Sequence, residues 1–178
     1  MVIIDPGHGG TDSGATYKER VEKNINLHVA LSVYAFLCNS ARVMLTRLSD
    51  RDVSLQERVY LSMRQDAEMF VSIHANADPD DDTNDNLVAE GAEIFVYPKG
   101  DRSRSLGRSI GEELRMTALG WRGIKDGSHL YVVKNTRCPA VLVEIGFIDN
   151  PHFDTLSLQA VGGAIARGVV KSHGGIIQ

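Results

Sequence analysis

Short β-branched runs and longer stripes of helical period alternate along the chain. Val2, Ile3 and Ile4 predict a buried strand, Asp5-Pro6 stops it, and Gly7, Gly9, Gly10 and Gly14 let the backbone turn immediately afterwards. Ile25, Val29 and Val33 with Phe36 and Leu37 form one helical stripe, and Leu27, Leu31 and Tyr34 a second. That helix is apolar on more than one face, which predicts burial against a sheet. Residues 42–46 read as the next strand. Ser54 and Glu57 have capping-box spacing and open a helix with Leu55, Val59 and Met63 on one side. Residues 69–73 predict a third strand running into His74-Ala75-Asn76-Ala77. Residues 78–90 turn acidic and read as a solvated loop. Residues 92–97 return as a strand closed by Pro98, and Leu106, Ile110, Leu114 and Ala118 mark a surface helix that Gly120 ends. Residues 130–133 read as a short strand, and residues 140–144 as a strand buried on both faces. Leu158, Val161, Ile165 and Val169 mark the last helix, where Gly162, Gly163 and Gly168 imply close packing against the sheet. Strands alternating with helices predict an α/β fold: a mainly parallel, mixed sheet of about six strands with helices on both faces.

Composition narrows the function. The 178 residues suit a single domain over 1–178, 43% of them are hydrophobic, and the formal net charge is −4. A polyanion-binding face is not expected, so nucleic acid is set aside as a partner. No apolar run approaches the length that spans a bilayer, so no membrane insertion is expected either. Cys38 and Cys138 form no Cys-x-x-Cys pair and read as two buried free thiols. Met1 runs directly into the first strand and leaves no room for a signal peptide. The alternatives are a cytosolic protein or a domain cut from a longer secreted precursor.

Candidate chemistry gathers at strand ends. His8, His74 and Glu144 each fall at the carboxyl end of a predicted strand, where open α/β sheets bind ligands, and Glu22 opens the helix that leaves the glycine loop. Two imidazoles and a carboxylate are a common catalytic zinc set, and a second carboxylate nearby can serve as base. Each residue also has a plain structural reading. His8 can be a satisfied loop histidine, Glu22 a solvated helix-start charge, His74 a satisfied core histidine, and Glu144 one half of a buried salt bridge. His129, just before a predicted strand, is the runner-up ligand. His28, His152 and His173 sit in a mid-helix position and in surface segments. Gly7-His8-Gly9-Gly10 is not a Gly-x-Gly-x-x-Gly arrangement, and no Gly-Lys-Ser/Thr follows, so nucleotide binding is not indicated.

In combination these motifs resemble the zinc-dependent N-acetylmuramoyl-L-alanine amidases of the amidase 3 type, which cut bacterial peptidoglycan. Ile4-Asp5-Pro6-Gly7-His8-Gly9-Gly10 with Asp12 and Gly14-Ala15 resembles the first ligand loop; Glu22-Lys23 with Leu27 resembles the second, and Ser72-Ile73-His74-Ala75-Asn76-Ala77 the third. Pro139-Ala140-Val141-Leu142-Val143-Glu144 with Gly146-Phe147-Ile148 and Asn150 resembles the segment carrying the catalytic glutamate. Thr46-Arg47, Asp50 or Asp52, and Leu55 with Arg58 fit the pattern between them. The resemblance implies His8, Glu22 and His74 as Zn2+ ligands, Glu144 as catalytic base, and peptidoglycan as the partner. The reaction implied is hydrolysis of the amide between the lactyl group of N-acetylmuramic acid and L-alanine. It also implies an extracytoplasmic location from a longer precursor, and a monomer is expected. Asp149 stands where serine is commoner, and the 78–90 loop is long. The helical segment that blocks the zinc site in some members is not expected, since residues 98–129 read as one helix and a turn. A stem-peptide peptidase and a non-catalytic wall-binding module are the competing readings.

Overall fold

A computed structural model describes residues 1–78, 89–117 and 120–174. Its centre is a six-stranded sheet of β1 (Val2–Pro6), β4 (Val43–Leu45), β5 (Met69–Asn76), β6 (Ala92–Val96), β7 (Trp121–Asp126) and β8 (Ala140–Phe147). The spatial order is β4-β1-β5-β8-β6-β7. β4, β1, β5 and β8 run parallel, β6 is antiparallel to β8, and β7 is parallel to β6. The three strands expected to carry the site are therefore parallel neighbours, and their carboxyl ends share a rim. β2 (Thr16–Tyr17) and β3 (Arg20–Val21) form a small hairpin between the glycine loop and α1 (Glu22–Leu37).

Helices cover both faces, as expected. The longer ones, α1, α3 (Asp101–Leu114) and α5 (Leu158–Ser172), share one buried cluster with inward residues such as Ile4, Val71 and Val143. α2 (Leu55–Arg64) and α4 (Tyr131–Asn135) cover the other, where Val59, Val132 and Val133 pack with Ile3, Phe70 and Leu142. The capping box forms: Ser54 Oγ accepts from the Glu57 amide and the Glu57 carboxylate from the Ser54 amide.

Several expectations are corrected. Residues 130–133 begin α4 instead of a strand, because a four-residue apolar run fits either element and only tertiary packing chooses. The missing strand is β7, a largely polar edge strand without an apolar signature, so residues 98–129 hold a helix and a strand instead of a helix and a turn. In α2 only Val59 of the expected stripe is buried, since Arg58 turns inward in place of Leu55 and Met63. On α1 the second stripe faces outward at Leu31 and Tyr34, and Phe36 of the first stripe is exposed as well. The α5 glycines pack on helices, not on the sheet: a Cβ at Gly162 would meet Ser32 of α1, and one at Gly168 the backbone of Ile110 in α3. Both cysteines are free, but Cys38 is exposed at the C-cap of α1 and Cys138 is half-buried. The acidic loop lies outside the described residues from 79 to 88.

Candidate active site

β1 ends at Pro6, and the turn that follows holds His8 at φ +58°, a left-handed conformation uncommon for a side-chain-bearing residue. Backbone bonds between Gly9 and Asp12 close the turn. His8 Nε2 and His74 Nδ1 lie 3.2 and 3.0 Å from Glu22 Oε1. One donor atom from each of His8, Glu22 and His74 falls within 4.8 Å of the others, the arrangement of a three-ligand metal site. Among the described residues His129 belongs to no such group. It is exposed in the wall of the adjoining cleft, edge-on to Phe95.

Glu22 is the first residue of α1 and is 5% exposed, so it is no solvated helix-start charge. Its Oε2 accepts from the Ala15 amide at 2.8 Å, and Oε1 from Asn26 Nδ2 at 3.1 Å and the Ala75 amide at 3.2 Å. Burial alone would raise its pKa, but the His74 and His8 contacts outweigh that and hold the carboxylate well below its ordinary range. Burial likewise disfavours a charged His8, while Glu22 and Asp12 reverse the balance and raise it to about 9. Asp12 Oδ2 lies 2.8 Å from His8 Nδ1, and its Oδ1 accepts from the Gly14 amide. This carboxylate fixes the ring so that the opposite nitrogen faces Glu22. Space here requires glycine: a Cβ at Gly7 would lie 2.2 Å from His74 Nε2, and one at Gly14, where φ is +63°, 2.4 Å from Glu22 Oε2.

Glu144 lies within β8 and not beyond its end, because the strand runs on to Phe147. It is the direct cross-strand partner of His74 and, on the other side, of Glu93. Its Oε2 is buried with no hydrogen-bond partner, so the salt-bridge reading fails for this oxygen. Burial pushes its pKa up to about 7.

Two buried arginines hold the loop from beneath. Arg58 pairs with Asp5 at 2.6 Å and donates to the Pro6 and His8 carbonyls; Arg47 donates to the carbonyls of Pro6, Gly7 and Lys23. Thr46 and Ser72 complete the Asp5 carboxylate. On the outer side Asp50 and Asp52 accept from the Gly10 and Thr11 amides, and Lys23 donates to the Gly10 carbonyl. A cleft of about 620 Å³ opens from His8 and His74 between the amino-terminal turns of α2 and α4.

The sequence profile of the N-acetylmuramoyl-L-alanine amidases matches residues 2–172. The chain belongs to that family. The germination-specific N-acetylmuramoyl-L-alanine amidase of Bacillus subtilis is 33% identical over 88% of the chain and 70% of its own length. The amidase CwlM of Bacillus licheniformis is 35% identical over 94% of the chain and 64% of its own length. The chain thus spans about two thirds of these relatives. The solved catalytic domain of the amidase CwlV from Bacillus (Paenibacillus) polymyxa superposes with a TM-score of 0.87 at 32% identity, covering 97% of both chains.

The four residues singled out in this amidase from sequence all converge. Sequence reasoning named Asp12, Arg47 and Arg58 as part of the family pattern but missed their supporting roles, and it missed Glu93 with its partner Arg122 altogether. Asp5 directly before the glycine loop was the available signal for a buried cation. Glu93 carried none, being one acidic residue just past an acidic stretch.

Proposed function

We propose that this chain is a single catalytic domain over residues 1–178 that hydrolyses the amide between the lactyl group of N-acetylmuramic acid and L-alanine of the peptidoglycan stem. The observation that carries the reading is the pairing of Glu144 with His74, which sets a buried carboxylate oxygen without a partner beside a His-Glu-His donor set. His8, Glu22 and His74 fit Zn2+, since two imidazoles and a carboxylate lie close enough to share one ion. The chemistry that zinc supplies when bound there is Lewis acidity toward water and the scissile carbonyl. Glu144 Oε2 takes the proton of the attacking water and returns it to the leaving amine of L-alanine. Asp12 and the two arginines keep the donors in place while this happens. A wall-binding module has no use for an unpartnered buried carboxylate, whose free-energy cost is accounted for by chemistry that needs it.

Peptidoglycan is the partner, and it places the work outside the cytoplasmic membrane. No helix among the described residues is long and apolar enough to cross a membrane. The domain is proposed to act as a monomer.

Digestion of purified peptidoglycan followed by end-group analysis tests the reaction. The amidase frees the L-alanine amine, whereas a stem-peptide peptidase frees other amines. A chelator should abolish the release and added zinc restore it. For the donor set, His8→Ala, Glu22→Ala and His74→Ala should each lower zinc content measured by atomic emission, and activity with it. Gly7→Ala should act in the same direction by displacing the His74 ring. Full zinc content in Glu22→Ala would remove that residue from the set. Acid should expel zinc from the parent protein, because protonated imidazoles cannot bind it.

A further inference from the structure

His74, Glu144 and Glu93 are successive cross-strand partners on β5, β8 and β6, so their side chains form one row on one face of the sheet. Two bulges sit at this rim. β8 gains a residue between Glu144 and Phe147, and β7 gains one opposite the step from Ala92 to Glu93. The extra residue in β7 is Arg122, flanked by Trp121 opposite Ala92 and Gly123 opposite Glu93. Bulges near sites re-aim side chains, and this one turns Arg122 back over β6.

The guanidinium is fixed there. Arg122 Nε donates to Glu93 Oε2 at 3.0 Å, and its Cζ lies 5.0 Å from the centre of the Phe147 ring. Glu93 is 7% exposed, and its other oxygen accepts from Asn76 Nδ2 at 3.3 Å. The remaining edge is open: Nη1 makes one long contact of 3.4 Å with the Glu90 carbonyl, and Nη2 has no hydrogen bond among the described residues. The side chain is 41% exposed. An arginine braced by a buried carboxylate and an aromatic face, whose Nη2 has no partner among the described residues and whose Nη1 makes only the long Glu90 contact, is preorganised for a planar anion.

We infer that Arg122 forms a carboxylate-recognition subsite beside Glu144, taking the free α-carboxylate of the second stem-peptide residue. The inference rests on the proposed amidase reaction. β7 lies two strand spacings from β8, about 10 Å. Two extended residues beyond the scissile amide span about 7 Å, and the lean of Arg122 toward Glu93 shortens the gap. Glu93 and Asn76 act as positioning residues that hold the fork.

The test uses two muramyl-peptide fragments that differ only in whether the second residue carries a free α-carboxylate or its amide. Arg122→Lys keeps a cation for Glu93 but loses the fork, and its thermal midpoint should stay close to the parent's. Its kcat/KM should fall about tenfold on the acid, the worth of one hydrogen bond to a charged group, and little on the amide. Calorimetric titration of both fragments into Glu144→Gln protein, with and without Arg122→Lys, reads the same preference without turnover. An equal loss on both fragments, or no loss on the acid, overturns the subsite. If the parent cuts neither fragment, the amidase reading has failed, and the titrations still decide the subsite by whether a preference for the acid exists and disappears with Arg122→Lys.

Discussion

Glu144→Gln should leave the protein folded and zinc-loaded while turnover falls by about a hundred- to ten-thousand-fold, the range a positioned acid or base contributes. The amide keeps the shape and one hydrogen-bonding oxygen but cannot take a proton. The carboxylate it replaces has a buried oxygen without a protein partner, so the exchange breaks no ion pair. The thermal midpoint should therefore hold or rise, because a neutral amide is cheaper to bury than a charged group. A purely structural Glu144 forecasts the opposite: a lower midpoint and near-normal turnover of the folded fraction. Zinc content, midpoint and turnover on one preparation separate the two, and near-normal turnover would sink the catalytic assignment.

Arg58→Ala should be the most destabilising single change near the site. It leaves Asp5, 1% exposed, as an unpaired buried carboxylate, and breaking such a pair costs about 3–5 kcal/mol. For a chain of this size that lowers the thermal midpoint by roughly 6–20 °C. The Pro6 and His8 carbonyls lose donors as well, so the folded fraction should hold zinc less tightly. Adding Asp5→Ala to Arg58→Ala removes the stranded charge and should recover part of the midpoint, but not the zinc affinity. A midpoint within a few degrees of the parent's would show that water replaces the guanidinium without cost.

His8, His74 and Glu144 were legible because each closes or interrupts a patterned run: His8 follows three β-branched residues, His74 continues an apolar strand, and Glu144 interrupts another. Long helices and buried parallel strands were legible for the same reason, their periodicity being strong over many residues. α4 was misread because four apolar residues carry no period. β7 was invisible because an edge strand of Trp121, Arg122, Gly123, Ile124, Lys125 and Asp126 buries little and keeps its charges in solvent. Arg58 occupies a position that a helical pattern assigns to solvent, and only its distant partner Asp5 draws it inward. The rest of the network was hidden on that principle: Arg47, Glu93 and Arg122 act through contacts between elements, so the family pattern marked Arg47 without its role and local sequence does not record Glu93 or Arg122 at all.

Reversal of β6 divides the rim into two kinds of construction. β1, β5 and β8 reach it with their carboxyl ends, whereas β6 and β7 begin there. Ala92 and Trp121, where those two strands begin, thus stand at this rim, and neither strand supplies any of the proposed ligands. Insertions, deletions or transplanted segments at those two entry points alter the neighbourhood of Glu93 and Arg122 while His8, Glu22 and His74 keep their own scaffold. For protein engineering this makes the β6–β7 side an exchangeable cassette: segments borrowed from relatives can be screened there for altered substrate preference, with zinc content as a constant internal control on each chimera.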